Sequence, residues 1–363
     1  MQVVIRTDSS RLIGSGHVMR CLVLADMLRE AGHETVFLCR DLPGHCYPII
    51  RERGYLYFLH AFSESQKEAY MAYLPNDNYS VWLGVSQEQD AHETINFVKD
   101  KSIDLMIVDM YGLDIVWEKS VKSLVKKLMV IDDLANRNHY CDVLLDHNYY
   151  CNAQERYQGL VPAFCQTFLG PSYALINPAL QRIKQARAMF KKDNIVKIKT
   201  ILVFLGGMDV KNYTDKVLKQ LLQSKLNHCF IDVVLGKANF YNKTLLKRYS
   251  SQKNIRFHIQ PAYYFDLLAK ADLSINAGGV SALERLYVGL PSLVLCTAEN
   301  QKQICMDLHT DNLATYIENL DLLSATINNA SFNLAQMSNS RYLFASNGHS
   351  QLLKELTRES CNC

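Results

Sequence analysis

Short apolar runs alternate with segments of helical period along nearly the whole chain. In the first half the runs are 2–7 (QVVIRT), 34–39 (ETVFLC), 105–110 (LMIVDM), 128–133 (LMVIDD) and 143–147 (VLLDH), each rich in Val, Ile and Leu. Continuous apolar runs of this length predict strands buried on both faces of a parallel sheet. Between the first two, Val18, Leu22, Ala25 and Leu28 recur at helical spacing and Gly32 follows as a stop signal, which predicts a helix over 18–31 and one β-α-β unit. The rhythm restarts at 200–205 (TILVFL), 230–235 (FIDVVL), 255–260 (IRFHIQ), 273–277 (LSINA) and 291–296 (PSLVLC). This order predicts an α/β protein with two parallel sheets, each in a Rossmann-like domain.

The segment 181–199 is polar and basic and lacks Gly and Pro, so it reads as a helix and exposed connector at the domain boundary. The expected division is 1–190, 191–335, and a C-terminal helix and tail at 336–363 that pack back across the domains. The stretch 60–95, with Trp82, several Tyr and an acid-rich patch from Gln87 to Glu93, is the least regular and reads as a long excursion within the first domain.

Composition narrows the partners. The 363 residues are 48% hydrophobic, enough for one large or two medium cores. Thirty-nine Lys and Arg against 36 Asp and Glu leave a net charge of +3, too balanced for an electrostatic grip on nucleic acid. No stretch of 18 apolar residues occurs, and MQVVIRTDSS is strand-like rather than a basic region before an apolar core. A cytoplasmic monomer without a membrane partner or export signal is expected. The 11 cysteines form no CxxC pair and show no metal-ligand spacing, so they are expected as reduced structural thiols.

Candidate chemistry collects at strand ends, where open α/β sheets bind ligands. The first junction reads Arg6 to His17, with Gly14 and Gly16 letting backbone amides approach a ligand and His17 beginning the helix. A helix N-terminus disfavours imidazolium, so His17 is the best candidate for a neutral general base; a tight turn whose histidine caps or packs fits the same spacing. Asp109 and Tyr111 in VDMYGLD, and Asp132-Asp133 in VIDD, also lie at strand ends. Either Asp109 or Asp133 can bind sugar hydroxyls, and either can cap the next helix. Adjacent residues on a strand face opposite ways, so at most one of Asp132 and Asp133 points into a site.

The second domain has three glycine turns, Gly206-Gly207 in LGGMD, Gly236 after FIDVVL, and Gly278-Gly279 opening a helix that carries Glu284. Glycine amides at a helix start can cradle a diphosphate. Glu284 can accept both hydroxyls of a ribose or simply complement the helix dipole. No GxGxxG follows the first strand and no GxxxxGK occurs, which lowers hydride transfer and ATP hydrolysis.

Several separated motifs together carry a resemblance: RTDSSRLIGSGHVMR, VWLGVSQEQDAHET at 81–94, VDMYGLD at 108–114, IDDLANRNHYCDVLLDHN at 131–148, GPSYALI at 170–176, FLGGMD at 204–209 and the stretch from Asn276 to Pro291. Over residues 1–310 the chain resembles the PseG family, UDP-2,4-diacetamido-2,4,6-trideoxy-β-L-altropyranose hydrolases of pseudaminic acid biosynthesis and flagellin glycosylation. The resemblance implies the GT-B fold of MurG-like glycosyltransferases, with two Rossmann-like domains facing a central cleft. It implies a nucleotide-sugar substrate, cleavage of the bond between the sugar C1 and oxygen with no metal and no cofactor, inversion at C1, and UDP as leaving group. It places the base on His17, loop-shaping glycines on Gly14 and Gly16, diphosphate contacts on Gly278 and Gly279 and the ribose acid on Glu284. Asn300-Gln301 match a pair near sugar or diphosphate, while Asp109 and Tyr173 lie in matching motifs without assigned contacts; from the residues alone, an Asn-Gln pair in a loop is also ordinary surface.

A GT-B glycosyltransferase shares this scaffold, and fold does not separate it from a hydrolase. The first domain shows no exposed apolar run apart from the mixed 40–60 stretch, which disfavours a transferase with a lipid acceptor. A non-catalytic nucleotide-sugar binder would keep the glycines and Glu284 but would not need His17.

Overall fold

The structure, a computed structural model, describes residues 1–73, 78–190, 198–237, 239–329, 340–344 and 348–358. It holds two sheets whose named strand pairs are all parallel. The first contains β1 (Gln2–Thr7), β2 (Glu34–Arg40), β3 (Leu56–His60), β4 (Ile103–Asp109), β5 (Val125–Ile131), β6 (Val143–Asp146) and β7 (Gln166–Leu169), in the order β3-β2-β1-β4-β5-β6-β7. The second contains β8 (Thr200–Phe204), β9 (Phe230–Leu235), β10 (Ile255–Ile259), β11 (Leu273–Ala277), β12 (Ser292–Leu295) and β13 (Thr315–Tyr316), in the order β10-β9-β8-β11-β12-β13. Each sheet starts at an interior strand, third from one edge, winds to that edge, then returns and winds to the other. The reversal falls between β1 and β4 in the first and between β8 and β11 in the second, which opens a crevice at those strand ends.

The continuous apolar runs are explained by burial on both faces. Val3 and Ile5 of β1 join Leu22, Leu28, Phe37, Ile107 and Met129 in one core, whereas Val4 joins Met106, Val108, Trp117 and Leu128 in another. Alternate residues of one strand thus serve opposite layers. A third core in the second sheet gathers Ile201, Val203, Leu218, Ile231, Val233 and Ile275.

The chain divides into two compact units, Met1–Asn148 with Asn152–Leu175 and Ser346–Cys363, and Tyr149–Cys151 with Ile176–Ala345. The division lies near 175 rather than 190 because the helix Ala179–Phe190 packs on the helices Tyr264–Lys270 and Val280–Val288 of the second unit. The expected connector at 191–197 lies outside the described residues, as does part of the C-terminal segment, including the final Cys-Asn-Cys. The helix Gly348–Thr357 completes the first unit's core through Leu352 and Leu356. There the His349 ring Nε2 lies 2.5 Å from the Ala174 carbonyl.

Two readings of the sequence change. The 60–95 stretch is not an irregular excursion; it forms helices Glu64–Ala72 and Gln87–Val98 around a 3-10 turn at Tyr79–Leu83, and Asp90 within it is fully buried. Strands β7 and β13 carry no long apolar run, whereas β3 carries one, Leu56 to Leu59, inside the mixed 40–60 stretch where the sequence reading places no strand. On the sheet edge, β3 exposes Leu56, Phe58 and Leu59, within the 40–60 stretch that the sequence reading sets apart. Among the described residues no helix is long and apolar enough to cross a membrane.

Candidate active site

The loop after β1 is built by its own polar side chains. Ser10 Oγ accepts the backbone N–H groups of Leu12 and Ile13, each at 3.1 Å, and Asp8 accepts Arg40 N–H at 2.7 Å. Gly14 takes φ +78°, a conformation that favours glycine, and closes the loop with an N–H bond to Ser10 O at 2.8 Å. The next helix, Gly16–Glu30, then begins at Gly16, where nothing lies within 4 Å of a Cβ position.

This start points His17 at β4. The parallel register sets Asp109 beside Thr7, and Asp109 Oδ1 lies 2.5 Å from His17 Nδ1. The carboxylate accepts the Nδ1 proton and so leaves the Nε2 lone pair available, the orientation a general base needs. The ring is framed by Tyr111 at 4.5 Å and Trp82 at 6.0 Å, both edge-on, with Tyr111 and Trp82 stacked on each other at 5.5 Å. His17 itself is 6% exposed.

Arg20, one helical turn beyond His17, clamps Asp109 with Nε at 2.7 Å and Nη2 at 2.6 Å. Its Nη1 reaches Asp133 at 3.1 Å. Burial works to raise the Asp109 carboxyl, but Arg20 and then His17 hold it well below the usual range, so it is a carboxylate. Asp133 also accepts the Tyr111 hydroxyl and, at 2.8 Å, the Asn148 amide. Asp109 therefore does not cap the following helix; Asp114 does, accepting Val116 N–H at 2.9 Å. Of the Asp132-Asp133 pair, Asp133 joins this network, while Asp132 turns to its own loop, to Arg137 at 2.7 Å and to Tyr157.

Three neighbours carry little signal in the sequence. Arg20 reads as a polar helix residue, although its spacing of three from His17 puts both on one face. Trp82 lay in the stretch read as irregular. His147, at the end of β6, accepts Leu175 N–H on Nδ1 at 3.2 Å, and burial followed by the Arg20 charge pushes it down to about 3, so it is neutral.

In the second unit the glycine turns meet at the switch point. Gly206-Gly207 follow β8 and Gly278-Gly279 follow its neighbour β11. Gly236, after β9, approaches Gly207 so closely that a Cβ on it would lie 2.0 Å from the Gly207 carbonyl oxygen. Gln301 borders Gly279, its amide nitrogen 3.4 Å from a Cβ position there, and its Oε1 accepts the Thr297 hydroxyl at 2.9 Å. Asn300 is half-buried beside it in the 3-10 turn Glu299–Gln301. Glu284 lies one turn into the helix Val280–Val288, where burial pushes its carboxyl up and Tyr264 donates a long 3.4 Å bond. Among the described residues that long bond is the side-chain donation to Glu284, so its carboxyl can accept further hydroxyl donors.

Tyr173 lies elsewhere. Its ring packs on Phe168 at 5.1 Å and its hydroxyl donates to Gln351 at 3.3 Å, so it helps hold the C-terminal helix. Among the described residues, His60, Asp90 and Glu93 group as metal ligands would. Arg40 binds both carboxylates and Arg6 binds Asp90, so guanidinium charge already occupies that cluster.

No family model matches the chain. It is 28% identical over 304 residues to the UDP-2,4-diacetamido-2,4,6-trideoxy-β-L-altropyranose hydrolase of Campylobacter jejuni, covering 83% of this chain and 94% of that protein. It is 27% identical over 305 residues to the spore coat polysaccharide biosynthesis protein SpsG of Bacillus subtilis, covering 83% and 79%. Among solved structures, MurG of Acinetobacter baumannii superposes with a TM-score of 0.60 at 12% identity, covering 98% of this chain and 99% of that one. The chain therefore has the GT-B fold, with two Rossmann-like parallel sheets, and its resemblance in sequence to the PseG hydrolase extends over most of its length.

Proposed function

We propose that this protein hydrolyses a UDP-linked diacetamido trideoxy sugar, releasing UDP by attack of water on the anomeric carbon with inversion. The observation that carries the reading is the His17–Asp109 pair at the first switch point. The likeness to the hydrolase of Campylobacter jejuni supports the substrate class.

In the proposed reaction, His17 Nε2 takes a proton from water as the water oxygen bonds to C1. The bond between C1 and the diphosphate oxygen breaks, and its electron pair leaves with UDP. Inversion follows because water enters on the face opposite the leaving group. Asp109 keeps the imidazole oriented and balances the imidazolium that forms. The Trp82 and Tyr111 rings limit water around the base. Backbone amides at Gly206, Gly207, Gly236, Gly278 and Gly279, with the helix start at Val280, take the diphosphate charge. Glu284 accepts ribose hydroxyls, and Gln301 with Asn300 lies beside the diphosphate. No step requires a metal.

The test is to supply the UDP-linked sugar without an acceptor and follow UDP and the anomeric protons by NMR. UDP release, with free sugar appearing first as the inverted anomer, is expected. Intact substrate in the presence of UDP binding overturns the hydrolase. It would favour a second reading, a transferase with a membrane-borne acceptor, for which the exposed Leu56, Phe58 and Leu59 of β3 are the supporting observation.

A further inference from the structure

Eleven cysteines scattered at irregular spacing give no pairing in sequence, but the fold brings two of them together. Cys141 directly precedes the residues that lead into β6, and Cys165 directly precedes β7. These strands are parallel neighbours with Val143 beside Gln166, and Gln166 N–H bonds to Asp142 O at 2.8 Å. The two thiols consequently lie with sulfur atoms 3.7 Å apart. Neither cysteine enters the reaction proposed above.

We infer that Cys141 and Cys165 form a modification site that a small-molecule disulfide, such as glutathione disulfide, converts to an intrachain cystine. The two thiols are unequal. Cys141 is fully buried, while Cys165 is half-buried and open to a reagent. Cys165 is the thiol a reagent can reach, so it is the first nucleophile. Its thiolate attacks the oxidant, forms a mixed disulfide and releases one thiol. Cys141 then attacks the Cys165 sulfur and releases the second thiol, its proton passing to the leaving thiolate. Two cysteine thiols are oxidised, one disulfide is reduced to two thiols, and atoms and electrons balance.

The two sulfur atoms, already 3.7 Å apart, close to about 2.05 Å in the cystine. It closes the segment 142–164, and that segment supports the acids behind the candidate base. Asn148 bonds Asp133 at 2.8 Å, Arg156 bonds Asp133 O at 2.8 Å, and Tyr157 bonds Asp132 at 3.0 Å. Oxidation therefore clips the edge strand β7 to β6 and restricts the opening of the segment.

The experiment uses the native full chain, reduced, freed of reductant and exposed to glutathione disulfide, followed by intact mass and peptide mapping. The inference expects a mass lower by two hydrogens, a single Cys141–Cys165 crosslinked peptide, a thermal midpoint several degrees higher, and reversal by dithiothreitol. Cys165→Ser should retain both the unmodified Cys141 thiol and the lower midpoint. Two free thiols, a persistent glutathione adduct on Cys165, a cystine between other residues, or a crosslink that leaves the midpoint unchanged would each overturn it.

Discussion

Asp109 and His17 lie 92 positions apart and meet at 2.5 Å, because adjacent strands at the switch point deliver one residue from a strand end and the other from a helix start. The carboxylate fixes which ring nitrogen holds the proton. Asp109→Asn keeps the size but presents an amide that can donate to Nδ1 and leave the proton on Nε2. On the proposed mechanism, turnover falls by about 10²–10⁴-fold with the affinity for UDP unchanged. Steady-state kinetics beside UDP calorimetry checks this, and a loss below tenfold would detach Asp109 from the base.

Arg20 carries a structural load that the reaction itself does not need. It bonds Asp109 through two nitrogens and Asp133 through a third, all buried. Arg20→Met leaves two carboxylates buried without their cation, a change that costs about 3–5 kcal/mol. Arg20→Lys restores one point charge without the fork and should fall between. Urea unfolding measures both; equal stability of all three proteins would contradict the clamp.

Nucleotide binding should separate from the base. Glu284→Gln removes the charge that ribose hydroxyls would meet, and the loss of a hydrogen bond to a charged group, about 1.5–3 kcal/mol, corresponds to roughly 10–100-fold weaker UDP binding. Gly236→Ala drives a Cβ to 2.0 Å from the Gly207 carbonyl oxygen, so the turns must part and UDP binding should fail with it. Calorimetry with UDP checks both variants, and unchanged affinity in Glu284→Gln would return that residue to a helix-dipole role.

The sheets were legible because most of their strands are apolar runs buried on both sides, the partly exposed edge strand β10 aside, and strand ends of this kind mark the binding crevices. His17, Asp109 and the glycine turns could be named from position alone. Their partners could not, because Arg20 meets Asp133 across 113 positions and Asn148 meets it across 15, contacts that only the strand order creates. Tyr173 shows the converse. A residue in a matching motif proved to pack beneath the C-terminal helix, where Gly348 comes so near Ser172 that a Cβ would lie 1.9 Å from its carbonyl oxygen.

The acid network also predicts a pH dependence of stability. Burial works to lower His139, but its contacts with Asp132 and Glu118 raise it to about 9, above the ordinary value of 6.5. Its folded value exceeds its unfolded value, so its stabilisation is full below about 6.5 and is lost as pH rises through about 9. Asp146, raised by burial and then by Asp133, changes stability in the same direction. Urea midpoints should fall from pH 6.5 to 9, and His139→Gln should flatten that slope. A rising midpoint over this range would contradict the assignment.

The central claim is that water activated by His17 attacks carbon and not phosphorus. Turnover of the UDP-linked sugar in ¹⁸O-water, quenched early and read by mass spectrometry, tests it most directly. The account predicts ¹⁸O in the free sugar, none in UDP, and loss of turnover in His17→Ala with UDP binding retained. Label in the β-phosphate of UDP, or substantial turnover by His17→Ala, would contradict it.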